Sequence, residues 1–410
     1  MKRVWLREVI SFILVGALAA MAGCSGSTKS GGGGGGGSTS NVQAITVNSG
    51  PGGGYFNGAF TSVTVCVPGS TTNCQTIGGI LVDTGSPGLR ILSSALTISL
   101  PQQTGSSGNP IVECLPFLSG FTWGPVQTTD MTIAGEHAKS LPIQVIGTSS
   151  FSTIPASCSS NGKALEDLAT LGANGILGVG ILAQDCGSAC TVSGASNPGF
   201  YYSCPSSGCV VTTESLASQV QNPVALFATD NNGVLIDLPS VSGAQTSVAG
   251  SLIFGIGTQS NNGLGSAAVY MLDPSTGNIT SVFNGHTYTD AAFIDSGSNG
   301  IYFLDAATTA IPTCAPPIAF WYCPTSTQNL SATNRGTNGT SASFNFFVGN
   351  ANTLTSSAST AAANGLAGPN IGTSGMLVLD WGLPFFYGRK VFTAIEGQNS
   401  PGGVGPYWAY

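Results

Sequence analysis

One nine-residue pattern occurs twice in the chain, and this duplication restricts the fold more than any other feature. Asp83-Thr84-Gly85-Ser86-Pro87-Gly88-Leu89-Arg90-Ile91 and Asp295-Ser296-Gly297-Ser298-Asn299-Gly300-Ile301-Tyr302-Phe303 both read Asp, hydroxyl, Gly, Ser, any residue, Gly, apolar, any residue, apolar. An apolar run leads into each copy, Ile80-Leu81-Val82 and Ala292-Phe293-Ile294. Well downstream, each copy is followed by a mainly apolar stretch that reaches a glycine: Ile176-Leu177-Gly178 and Leu379-Asp380-Trp381-Gly382. Two half-sites with similar internal spacing predict two lobes related by a pseudo-two-fold axis. Asp83 and Asp295 would then face each other across a cleft.

The rest of the body reads as strands. Apolar stretches at residues 60–67, 80–82, 131–133, 143–146, 233–238 and 291–294 are short, rich in Val, Ile, Thr, Phe and Tyr, and end in Gly, Asn or Pro. Helical periodicity is brief, best over residues 164–171 and 213–221, which predicts two short helices. His137 and His286 are placed at hairpin turns. Charged residues make up only 7% against about 25% in an ordinary soluble domain. With a net charge of −7 and no Lys/Arg cluster beyond residue 8, the chain is a poor ligand for nucleic acid.

The first residues carry a different signal. Lys2, Arg3 and Arg7 precede an apolar run at residues 9–20 and then Met21-Ala22-Gly23-Cys24, a secretory pattern. The run falls short of the roughly 20 apolar residues a membrane span needs. A Cys directly after small residues resembles the bacterial lipobox, which implies that Cys24 becomes the first mature residue and carries acyl chains. The glycine run at residues 31–37 lies in a Ser/Thr-flanked tether. Ser25 stands where an inner-membrane retention Asp would be, and by analogy with Gram-negative lipoproteins this favours the outer membrane, facing the periplasm or the surface. The expected organisation is a signal at residues 1–23 and a lipidated Cys with its tether at 24–50. A first β lobe at 51–225 and a second at 226–410 follow. Contact with the membrane is through the lipid anchor only.

Ten cysteines remain: Cys66, Cys74, Cys114, Cys158, Cys186, Cys190, Cys204, Cys209, Cys314 and Cys323. Several sit in close pairs flanked by Gly, Ser or Pro, and none has CxxC spacing, so disulfides in an oxidising compartment are expected rather than a metal site. Which Cys joins which stays open; the 186/190/204/209 group could pair locally or as a nested set.

Four segments then carry a family resemblance. "YFNGAFTSVTV" leading into "ILVDTGSPGLRIL", then "ANGILGVG", "AAFIDSGSNGIYF" and "LPFFYGRKVF", resemble in order and approximate spacing the landmark segments of pepsin-like aspartic peptidases. Together they frame nearly all of residues 51–410. The resemblance implies an all-β, bilobal fold with a few short helices, in which Asp83 and Asp295 act as joint acid and base. It further implies that Gly85 and Gly297 allow the tight turns, that Thr84 and Ser296 bond backbone across the loops, and that Ser86 and Ser298 donate to the outer carboxylate oxygens. No cofactor or metal is expected. Two histidines do not furnish a typical zinc site, neither neighbours a nucleophile motif, and phosphate-binding glycine motifs are absent.

The sequence departs from the family pattern at three places. The stretch at residues 114–130, where a flap over the cleft is expected, has no Tyr; Phe117, Phe121 and Trp123 are its candidate closing residues. Arg90 replaces the aromatic residue that often supports the flap. The insert at residues 183–212, with four cysteines and Tyr201-Tyr202, matches nothing in the family. Two functions stay open at this point. One is a cell-envelope aspartic endopeptidase working at acidic to mildly acidic pH. The other is a silent scaffold that binds peptide, glycan or protein. Either would act as a monomer, with a peptide or protein in the cleft.

Overall fold

The computed structural model describes residues 41–357, 359–370 and 378–410. The expected signal segment, Cys24 and the glycine tether lie outside the described residues. Strands dominate, and the chain forms the two-lobed all-β architecture that the duplicated pattern predicted. The first lobe's strands run without a break into those that bridge the lobes, as one fifteen-stranded sheet. Seven further strands, including Ile279–Phe283, His286–Ile294, Gln328–Arg335 and Ser341–Val348, make the second lobe's own sheet.

The duplication is visible in the strand order. In the first lobe, Gly175–Val179 lies between Cys74–Asp83, which it pairs in parallel, and Pro87–Leu92, which it pairs antiparallel. In the second, Leu379–Trp381 takes the same place between His286–Ile294 and Ile301–Phe303. Each Asp loop is thus a chain reversal wrapped around the end of a third, inserted strand. A side chain at that end would collide with the loop. A methyl group at Gly178 would lie 2.6 Å from the Pro87 carbonyl carbon and 2.7 Å from Ser86 O, and one at Gly382 would lie 2.7 Å from Ser298 O. Gly178→Ala should therefore destabilise the protein by about 1–3 kcal/mol through backbone displacement. The check is a lower urea midpoint with an unchanged slope.

Two expectations shift at the boundaries. The tether was expected to run to residue 50, but Val42–Asn48 is a strand paired with Val248–Phe254 and Gly58–Cys66. Its alternation buries Ile45 and Val47 on one face, a period-2 signal overshadowed by the neighbouring glycines. The two expected helices contract to single turns, Leu168–Leu171, capped by Asp167, and Leu216–Ser218. His137 and His286 do stand exposed at hairpin ends.

All ten remaining cysteines pair: Cys66–Cys74, Cys114–Cys158, Cys186–Cys190, Cys204–Cys209 and Cys314–Cys323. The four-cysteine group pairs locally. The main core runs beneath both Asp loops and includes Val82, Leu89, Ile91, Leu177, Ile294, Ile301, Phe303, Leu379 and Trp381.

Candidate active site

The strand Cys74–Asp83 ends on Asp83, and His286–Ile294 ends one residue before Asp295. Both carboxyls therefore project from the tips of strands fixed in the core, and the loops that follow clasp each other. Thr84 N–H donates to Ser296 Oγ (3.1 Å) and Ser296 N–H donates to Thr84 Oγ1 (2.9 Å). Ser296 Oγ in turn donates to Val82 O (2.9 Å). Within each loop the carboxylate is held the same way. Gly85 N–H reaches Asp83 Oδ1 and Gly297 N–H reaches Asp295 Oδ1, both at 2.7 Å. The hydroxyls of Ser86 and Ser298 donate to the Oδ2 atoms at 2.6 and 2.8 Å.

The two carboxyls come within hydrogen-bonding reach of each other. Space between the loops is so small that a methyl group at Gly85 would lie 2.6 Å from Asp295 Cγ, and one at Gly297 would lie 2.6 Å from Asp83 Oδ1. Burial, the charge of Asp83 and then that of Asp380 hold the Asp295 carboxyl well above the ordinary carboxylate range. Two acids this close cannot both ionise at modest cost, so the pair carries a shared proton whose titration belongs to the dyad. Such a pair can accept one proton from water while donating another to a substrate oxygen or nitrogen.

Three residues around the dyad were not singled out from the sequence. Asp380, on the inserted strand of the second lobe, is buried, and burial pushes its carboxyl up to about 8. Its visible signal was a lone acid in a stretch otherwise read as apolar. Tyr302 is partly buried with its ring stacked on Trp321, and its hydroxyl donates to Asn299 Oδ1 at 2.6 Å. Tyr55, in the turn before Gly58–Cys66, packs edge-on against Phe60. Its phenol is raised by burial and then by the fields of Asp83 and Asp295, which puts a tyrosine within electrostatic reach of both carboxyls.

The comparisons with known proteins agree with this geometry at the level of fold. A family model described as a protein of unknown function (DUF3443) matches residues 37–410. The chain belongs to the DUF3443 family. No curated protein matches it. Among solved structures, an aspartic proteinase from Irpex lacteus superposes with a TM-score of 0.50 at 14% sequence identity, over 90% of this chain and 96% of the proteinase. At that identity the likeness shows a shared pepsin-like fold.

In this DUF3443 protein Arg90 does not leave a gap where an aromatic support was expected. It is fully buried, and its guanidinium donates to Pro87 O (2.6 Å), Glu113 Oε1 (2.7 Å) and Asp185 Oδ2 (3.1 Å). Tyr201 OH donates to Asp185 Oδ1 (2.7 Å) and accepts from Val220 N–H (2.7 Å). Burial, and then the charge of Glu113, keep Asp185 well above the usual range. Arg90 thus binds the first Asp loop to Glu113 on the hairpin strand Ile111–Phe117, and to Asp185 and Tyr201 of the cysteine-rich insert. The insert itself extends that hairpin, since Tyr201–Ser203 pairs antiparallel with Ile111–Phe117.

The candidate closing residues divide. Phe121 and Trp123 turn into a satellite core with Cys114, Cys158 and Tyr202, where Trp123 Nε1–H donates to Phe151 O at 2.7 Å. They support the hairpin from behind and do not stand free to cover a cleft. Apolar packing around the Cys114–Cys158 disulfide outweighs any cleft role for large rings. Phe117 remains half-buried beside Leu118, whose side chain at the hairpin tip is 80% exposed.

Proposed function

We propose that the chain is an aspartic-type endopeptidase of the bacterial cell envelope, in which Asp83 and Asp295 activate water for peptide-bond hydrolysis. The observation that carries this reading is the pair of mutually clasped loops, which bring two carboxyls together and give each the same Gly and Ser donors. The ionised carboxyl takes a proton from water as its oxygen attacks the peptide carbonyl carbon. The protonated carboxyl gives its proton to the carbonyl oxygen, leaving a neutral tetrahedral diol. Collapse of that diol breaks the C–N bond, the amine leaves with a proton returned through the dyad, and the pair ends with one proton again. The loops cannot rotate the carboxyls away during this exchange, because Ser86 and Ser298 hold the outer oxygens while Gly85 and Gly297 hold the inner ones. The lipobox-like Cys24 in the sequence supports a location at the membrane surface.

The test is a peptide-library digest with the purified mature protein from about pH 3 to about pH 7, a range that spans acid titration of a shared-proton pair. Cleavage is expected on the acidic side and should be blocked by a pepstatin-type inhibitor. Absence of cleavage at every pH would leave the scaffold reading, in which the same lobes bind a peptide, glycan or protein without cutting it.

A further inference from the structure

The inserted strands of the two lobes are counterparts, and the positions two residues before their glycines differ sharply in chemistry. Ile176 pairs with Leu81 on one side and with Arg90 on the other. Asp380 pairs with Phe293 and Tyr302, the equivalent positions of the second copy. A buried isoleucine in one lobe is therefore matched by a buried carboxyl in the other. Among the described residues no ion pair and no well-formed hydrogen bond accounts for the acid. Both Asp380 oxygens are buried without a hydrogen-bond partner, and none of the ion pairs among the described residues involves it. Buried polar groups that serve the fold are normally satisfied, because desolvation is costly otherwise. The next residue is tied to the site, since Asp295 N–H donates to Trp381 O at 3.1 Å.

We propose, on the strength of the peptidase reading above, that Asp380 is a third carboxyl of this site, a positioning residue that governs how far up the pH scale the dyad keeps its shared proton. The titratable groups that face it are Asp83, Asp295 and Tyr302, together with the Ser298 hydroxyl. Tyr302 is committed to Asn299, and Ser298 gives its proton to Asp295 Oδ2. Ser298 thus faces both the dyad and Asp380. While Asp380 is protonated it adds no charge. Once it ionises, its negative charge opposes a second negative charge on Asp83 and Asp295, so the pair holds its last proton to higher pH.

The experiment compares wild type with Asp380→Asn, which keeps the shape, and Asp380→Ile, which copies Ile176. Against a peptide substrate, the kcat/KM profile should be unchanged at acidic pH in both variants, and the alkaline limb should move acidward by about one pH unit in the range above about 8, where Asp380 is ionised in the wild type. An alkaline limb that stays put in Asp380→Asn overturns the proposal. A second arm needs no cleavage. The folded-state value of Asp380, about 8, lies above that of an unfolded Asp, about 3.9. The folded protein therefore keeps a proton that the unfolded chain gives up, and this contribution to stability is full at low pH and is lost as pH climbs through about 8. Both variants should show a shallower fall in thermal midpoint between those values. Parallel curves in wild type and variants would sink the idea. A wild type that cleaves nothing counts against the peptidase reading alone, and the stability arm then decides whether Asp380 holds a proton in the folded state.

Discussion

Replacing Asp295 by Asn is expected to lower kcat/KM for peptide cleavage by at least about a thousandfold, with Asp83→Asn behaving alike. Positioned acid–base groups contribute on the order of a hundred- to ten-thousandfold each. On the proposed mechanism the two carboxyls act as one unit, so removing either would remove both roles. An amide cannot take the proton from water, and a single remaining carboxyl cannot serve as both acid and base at once. The loss would be chemical and not structural. The Asn carbonyl oxygen can still accept from Gly297 N–H, and the Ser298 hydroxyl can turn to accept from the new amide. The substitution also removes a carboxyl held well above its ordinary range, a strained state that the folded protein no longer has to maintain at neutral pH. Thermal midpoints at neutral pH should accordingly be equal to or above those of the wild type. A variant that keeps more than about a tenth of the wild-type kcat/KM would remove the dyad mechanism.

The parts of this site legible in the sequence were those written by short-range rules. Each Asp loop is a turn that needs Gly at a fixed offset and hydroxyls at fixed offsets, so Asp83, Gly85, Ser86 and their counterparts could be read directly. Gly178 and Gly382 were legible because a close approach admits no side chain, whatever the surroundings. That the cysteines form disulfides was legible too, but their pairing was not, and it took the fold to set Cys66 opposite Cys74 across a hairpin. What could not be read depends on partners far apart in the chain. Arg90 looked like the loss of an aromatic support, because Asp185 lies 95 residues away and only the fold brings the two together. The rings of Phe121 and Trp123 looked like cleft residues, because nothing local shows that Cys114–Cys158 builds a separate core behind them. Asp380 passed as part of an apolar stretch, and its meaning appears only when Ile176 is seen in the matching place.

Arg90→Met should cost about 3–5 kcal/mol of stability, the range for breaking a buried ion pair by removing one partner. Methionine replaces the stem but leaves Glu113 and Asp185 buried side by side without a cation. Glu113 Oε2 already lacks an N–H donor in the wild type, so removing the guanidinium leaves it facing the Asp185 carboxyl. The pH dependence identifies the cause. With Arg90 gone, the charge that favours ionised Asp185 is lost, and its folded-state value rises further above that of the unfolded chain. A group raised in this way contributes stability that is complete below the unfolded carboxylate value and is lost as pH climbs through the folded value. The deficit of Arg90→Met should therefore be smaller near pH 4 than at an alkaline pH above the raised folded-state value of Asp185. Adding Glu113→Gln and Asp185→Asn to Arg90→Met removes the uncompensated acids and should recover most of the loss at the higher pH. Urea unfolding at the two pH values measures both effects. A deficit independent of pH, unrelieved by the triple variant, would mean that Arg90 acts through packing alone. The peptidase assay adds a further consequence. Arg90 ties the first Asp loop to the hairpin strand Ile111–Phe117, so at mildly acidic pH the variant should lose substrate affinity, seen as a raised KM, before it loses kcat.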